Sequence, residues 1–168
     1  MREKAVELPG SVYLYTLATL AMTFVGFCAV VLVLRQSRPK KRAGFHVVHS
    51  HGYIEIALGA AAAAMLPSLL AVCGMSATAT WQWSSTIVAL GFIAHTGFIL
   101  TRFYRIVAWR VPLHVWINTV ITGIVTVILI VNAIGFLAPP NVGPIAIAAT
   151  WRLVMAIEIF LVTMEEFL

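Results

Sequence analysis

Five long apolar runs, separated by short polar connections, make up almost the whole chain. A bilayer core about 30 Å thick needs roughly 20 apolar residues per helix. The runs at about 11–34, 45–73, 84–106, 115–137 and 144–162 each fit that length. Tyr13 and Tyr15 stand near the start of the first, placed for an interfacial aromatic belt. The second is long enough to tilt or to begin in the interface. The third is entered through Trp81 and Trp83 and leaves through Arg102, Tyr104 and Arg105, and the fourth closes on Pro139 and Pro140. The fifth runs nearly to the C-terminus. The pattern predicts an all-α membrane protein, a bundle of about five transmembrane helices forming a single transmembrane domain over residues 1–168.

The polar connections orient these spans. The first holds Arg35, Arg38, Lys40, Lys41 and Arg42, and the third holds Arg102, Arg105 and Arg110, whereas the second and fourth carry no lysine or arginine. Basic loops stay in the cytoplasm. The expected topology therefore has the N-terminus outside and the C-terminus cytoplasmic, most simply in a bacterial inner membrane. A charged N-terminus before an apolar run imitates a signal peptide, but the run is too long for one and ends in Arg35 without a small-residue cleavage site. Short loops leave no room for a soluble domain or an extramembrane active site.

Composition sharpens the membrane reading. Hydrophobic residues make up 61% of the 168 and charged ones only 10%, against roughly 45–50% and 25% in soluble domains. No water-soluble fold of this size hides that much apolar surface. The net charge of +5 would suggest nucleic acid in a soluble protein. Here the basic residues sit in two loops, so topology and anionic headgroups account for them and no nucleic-acid partner is expected. Cys28 and Cys73 should lie at opposite ends of neighbouring spans, too far apart for a disulfide. The sequence contains no CxxC, zinc framework, nucleotide-binding glycine loop, nucleophile elbow or HExxH.

Against this apolar background the polar residues stand out. The run from Phe45 to Cys73 carries three of the five histidines and sets Glu55 inside an apolar segment. A carboxylate there is costly and calls for a partner or a purpose. At about 1.5 Å per residue, Glu55 lies roughly 15 Å and His95 roughly 13 Å from the cytoplasmic boundary. His51 and Asn118 are shallower, and Glu158 lies about 10 Å in. These five residues form a polar layer drawn from four helices. Glu55 with His95 reads as a proton- or cation-binding pair in which each partner offsets the other's desolvation. The plainer alternative is a structural hydrogen bond that fixes helix packing.

Other features carry similar pairs of readings. His46 and His49, spaced i and i+3, suit a metal such as zinc, copper or iron, or form an interfacial cluster beside the basic loop. His51 and His95 could act as axial haem ligands, or serve the polar layer. Arg152 and Glu158, six apart, fall on different faces of one helix, and Arg152 either snorkels or pairs with another helix. Thr16, Thr19, Thr23 and Gly26 line one face of the first span, and Thr119, Thr122 and Thr126 one face of the fourth. Small and hydroxyl residues let membrane helices approach closely. Gly52, Gly59 and Ala63 fit the same packing role on the second span, which Pro67 is expected to kink.

The stretch TLATLAMTFVGFCAVVLVLRQ, continued through HSHGYIEIALG, resembles the opening half of a group of small bacterial multispan membrane proteins with no assigned activity. The resemblance implies no activity, so it transfers no functional residue. Signature residues of small multidrug exporters, fluoride channels and membrane thiol oxidoreductases are not found. Three functions remain in view. The first is an oligomeric proton or cation channel or transporter built on Glu55, His95, His51, Glu158 and Asn118, with no cofactor. The second is a haem-carrying electron-transfer subunit. The third is a non-catalytic accessory subunit of a larger membrane complex. Expected partners are the bilayer, ions, and further copies of the chain or another membrane protein. Enzymatic activity is not expected, since no nucleophile–base pair is evident.

Overall fold

The computed structural model describes residues 8–36, 43–107 and 113–165, at the level of the backbone alone over 35–36, 43–51, 102–107, 114 and 165. Five helices occupy them: α1 (Ser11–Gln36), α2 (Ala43–Val72), α3 (Ala77–Val107), α4 (Leu113–Ile134) and α5 (Gly143–Glu165). No strand occurs among the described residues. Each helix contains a stretch long and apolar enough to cross a bilayer: Ser11–Leu34, Gly52–Val72, Ala77–Thr101, Val115–Ile134 and Gly143–Met164. The side chains turned outward include Val12, Leu20, Val30, Leu90, Ile124 and Leu161. Water does not tolerate so much exposed apolar surface, whereas hydrocarbon requires it, because helices satisfy their own backbone groups there. The protein is an all-helical integral membrane protein.

Among the helix boundaries that differ from expectation, two have a visible cause. The third helix begins at Ala77, seven residues before the expected start at 84, so Trp81 and Trp83 lie inside it, and Trp81 is buried. Ser76 explains the early start: its side-chain oxygen accepts from the Ala79 N–H at 3.4 Å and its carbonyl from the Thr80 N–H at 2.8 Å. A serine cap outweighed the dip in hydropathy. The fourth helix ends at Ile134, short of the expected 137. Gly135 stops it with φ +66°, and the Phe136 N–H returns to the Val131 carbonyl at 3.3 Å. Gly74 (φ +83°) closes α2 in the same way, with the Met75 N–H on the Leu70 carbonyl at 3.3 Å. Both are glycine C-caps in the left-handed conformation, with the six-to-one bond of a Schellman motif.

The helices form two compact units: Gly10–Met65 with Ala149–Leu168, and Met1–Pro9 with Leu66–Ala148. The chain passes between them before α1, inside α2 two residues before the buried Pro67, and again inside α5 after Ala148.

In the first unit α1, α2 and α5 meet around Phe160. Its ring makes edge-on contacts with Phe24 and Phe27, each with centroids 5.6 Å apart, and with Tyr53 at 5.5 Å. Such edge-to-face pairs add about 0.5–1.5 kcal/mol beyond area burial. Cys28, Ile56, Ala57 and Ala156 complete the core. The Tyr13 hydroxyl also lies 2.9 Å from Thr150 Oγ1. Residues 13 and 24–27 of α1 thus match 150 and 160 of α5, and the two helices run parallel. Tyr53 with Phe160, and Gly59 with Arg152, make α2 antiparallel to α5.

In the second unit α3 packs against α4. Thr80, Trp81, Ser84, Ser85, Val88, Ala89 and Phe92 form the buried face of α3. Asn118, Thr122, Val125, Thr126, Leu129 and Asn132 form that of α4. Small and hydroxyl side chains recur in both, as close membrane-helix packing demands.

Candidate functional site

Charged residues inside a span need the closest scrutiny, and three belong to the α1–α2–α5 unit: Glu55, Arg152 and Glu158. Their levels follow from the packing. Between Tyr53 and Gly59 the α2 helix runs alongside Phe160 back to Arg152, which puts Glu55 level with about residue 157 of α5. That is about 12 Å from the C-terminal end of α5 at 1.5 Å per residue. On its own helix Glu55 lies three residues inside the apolar stretch Gly52–Val72. Glu158 shares this level, but it is six residues from Arg152 and so about 120° round the helix from it.

Arg152 lies directly against Gly59: a Cβ on this glycine would collide with the guanidinium. Glu55 is one helical turn before Gly59 on the same side of α2, and it is exposed. Acid and base thus flank one edge of α2, a turn apart. Arginine carries five N–H donors in a fixed fork, so it can serve partners in its own chain and still offer donors outward. The sequence singled out Glu55 and Gly59 but not their closeness to Arg152, because contact between helices has no signature in residue spacing.

The other members of the expected layer lie in the second unit. The Asn132 Nδ2 donates to Ser85 Oγ at 2.8 Å. Counting ten residues from this bond along each antiparallel helix brings partly buried His95 level with buried Thr122, and Asn118 one turn further. Glu55 belongs to one unit and His95 to the other, so their pairing stays an expectation from depth alone. The side chains of His46, His49 and His51 lie outside the described residues, and with them the suggested metal and haem ligation. Among the described residues no three His, Cys, Asp or Glu side chains gather as a metal site. Both cysteines are free, Cys28 buried and Cys73 exposed.

Some residues expected on packed faces are turned outward within this single chain. Thr16, Thr19 and Thr23 are exposed, and each hydroxyl donates to the carbonyl four residues back, at 2.9, 2.9 and 2.8 Å. Within the chain α1 packs instead through Leu14, Leu17, Ala18, Ala21 and Cys28. A Cβ on Gly52 or Gly26 would meet nothing within 4 Å, so neither glycine permits a close approach within the chain. Thr122 and Thr126 are buried on the α4 face toward the interior.

Sequence reasoning missed a second polar cluster. Asn132 Nδ2 also donates to the Asn141 carbonyl at 3.2 Å, and its Oδ1 accepts from the Asn141 N–H at 3.1 Å. Asn141 Oδ1 in turn accepts from the Gly143 N–H at 3.0 Å and caps α5. Thr80 and Ser84 lie fully buried on α3, and neither hydroxyl has a hydrogen-bond partner among the described residues. A signal was present, since Ser76, Thr80 and Ser84 recur every four residues.

No family model, curated relative or solved structure matches this chain. Function therefore has to be argued from the residues themselves.

Proposed function

We propose that the protein is an oligomeric membrane channel or transporter for protons or cations. The observation that carries this reading is Glu55, an exposed carboxylate about 12 Å from the helix end, with Arg152 a turn away. Ionisable groups inside membrane spans mark ion pathways and proton relays more often than scaffolding, because their desolvation is otherwise uncompensated. A proton or cation neutralises Glu55 directly, and Arg152 is the competing positive charge. Glu158, in the same unit, lies at the same level.

The basic first and third connections support an orientation with the N-terminus outside and the C-terminus in the cytoplasm, in a bacterial inner membrane. Purified protein in liposomes tests the activity. Wild type should pass protons or monovalent cations, and Glu55→Gln should lower the flux at least tenfold or abolish its pH dependence. Absence of wild-type flux, or flux indifferent to Glu55→Gln, would remove the basis for this assignment.

A further inference from the structure

Thr80 Oγ1 and Ser84 Oγ are fully buried on α3 and have no partner among the described residues. The amide next to them in the fold cannot serve them, since both Nδ2 hydrogens of Asn132 go elsewhere, to Ser85 Oγ and to the Asn141 carbonyl. Other helical hydroxyls of this chain rest on their own backbone. Thr86, Thr119, Thr126 and Thr163 each donate to the carbonyl four residues back, at 2.9, 2.7, 2.7 and 2.6 Å. That is a usual place for a hydroxyl inside a helix. Thr80 and Ser84 leave the corresponding carbonyls, those of Ser76 and Thr80, untouched by their side chains.

We infer that Thr80 and Ser84 form a binding site for one buried water molecule, which bridges their two hydroxyls. The residues lie one turn apart on the same side of α3, with Cβ atoms about 5–6 Å from each other. A direct hydroxyl–hydroxyl bond of about 2.8 Å does not cover that separation, whereas two such bonds meeting at a single oxygen do. Two hydroxyls also supply the minimum of two polar partners that a buried water needs. The charge around the site selects a neutral guest. Residues 66–148 contain no aspartate or glutamate, so none of them balances a cation there. Arg102, the first basic residue after Ser84, is about 27 Å away along α3 and attracts no anion to it. Water is neutral, both donates and accepts, and has a short way in: Thr80 lies in the first turn of α3, next to the exposed Ser76. Its bonds offset the desolvation cost that two unpaired hydroxyls carry in an apolar interior.

The site belongs to the unit of α3 and α4 and is independent of Glu55 and of ion flux. The test uses full-length protein in detergent micelles. In NMR spectra of the wild type, water should give a cross-relaxation peak to the Thr80 methyl group. Ser84→Ala should abolish that peak although the Thr80 hydroxyl remains. Thermal unfolding supplies a second measurement. Thr80→Val and Ser84→Ala each strand the water and the other hydroxyl, so each should lower the midpoint by about 3 °C or more. The double variant has no hydroxyl left to strand and should melt no lower than the less stable single variant. The wild-type peak can be measured even if a variant fails to fold. No water peak in the wild type, a peak that survives Ser84→Ala, single variants at or above the wild-type midpoint, or losses that add in the double variant would each overturn the inference.

Discussion

Asn132 engages three hydrogen bonds with Ser85 and Asn141, tying the end of α4 both to α3 and to the connection before α5. One hydrogen bond between membrane helices averages about 0.6 kcal/mol, but removing Asn132 also strands a buried serine hydroxyl and a loop amide. Asn132→Ala should therefore destabilise the protein by about 1–2 kcal/mol, read as an earlier midpoint in denaturant titration in detergent. Thr23→Val makes the contrasting case. Its hydroxyl bonds only within its own turn and faces outward, so the midpoint should stay within about 0.5 kcal/mol of wild type. An equal loss from both variants would mean that outward hydroxyls matter as much as bridging ones. At this scale the sequence was half legible. Glu55 and His95 are conspicuous because they are polar in an apolar run. Asn132 is equally polar, but lies near a span end, where polarity reads as the onset of a loop.

Helix number and span identity were legible because bilayer thickness fixes a minimum apolar length, and all five runs meet it. Which face of each helix points inward was not. Hydrocarbon accepts leucine and valine on the outside, so the apolar stripe that marks the inside of a soluble helix is missing. The two threonine stripes show the consequence: at similar spacing, Thr19 and Thr23 face outward on α1, while Thr122 and Thr126 face inward on α4. Helix ends were misplaced where Ser76 and Gly135 cap before or inside an apolar stretch. Gly59 yields the prediction proper to this scale. Alanine there would collide only with the far end of the Arg152 side chain, which can swing aside, and would gain up to about 1 kcal/mol of helix propensity. Gly59→Ala should unfold at or above the wild-type temperature, and Gly59→Leu, which fills the space between α2 and α5, clearly below it. A large loss from Gly59→Ala would show that Arg152 cannot move.

For the whole molecule, the parallel course of α1 and α5, with α2 opposed to both, agrees with a chain that crosses the membrane an odd number of times. Which end of that arrangement faces the cytoplasm comes from loop charge alone, carried by Arg35–Arg42 and Arg102–Arg110, where side chains lie outside the described residues. The cysteines offer an independent measurement. Cys73 is exposed in the short connection after α2, and Cys28 is buried in the core around Phe160. A thiol reagent that cannot cross membranes should therefore report on Cys73 and leave Cys28 untouched. If the basic first connection is cytoplasmic, the connection after α2 is external. Intact spheroplasts should then label, inside-out vesicles should label only after permeabilisation, and Cys73→Ser should abolish the signal in both. The reverse pattern would invert the topology. It would place Glu55 in the outer half of the membrane and reverse the side from which a proton or cation first meets it.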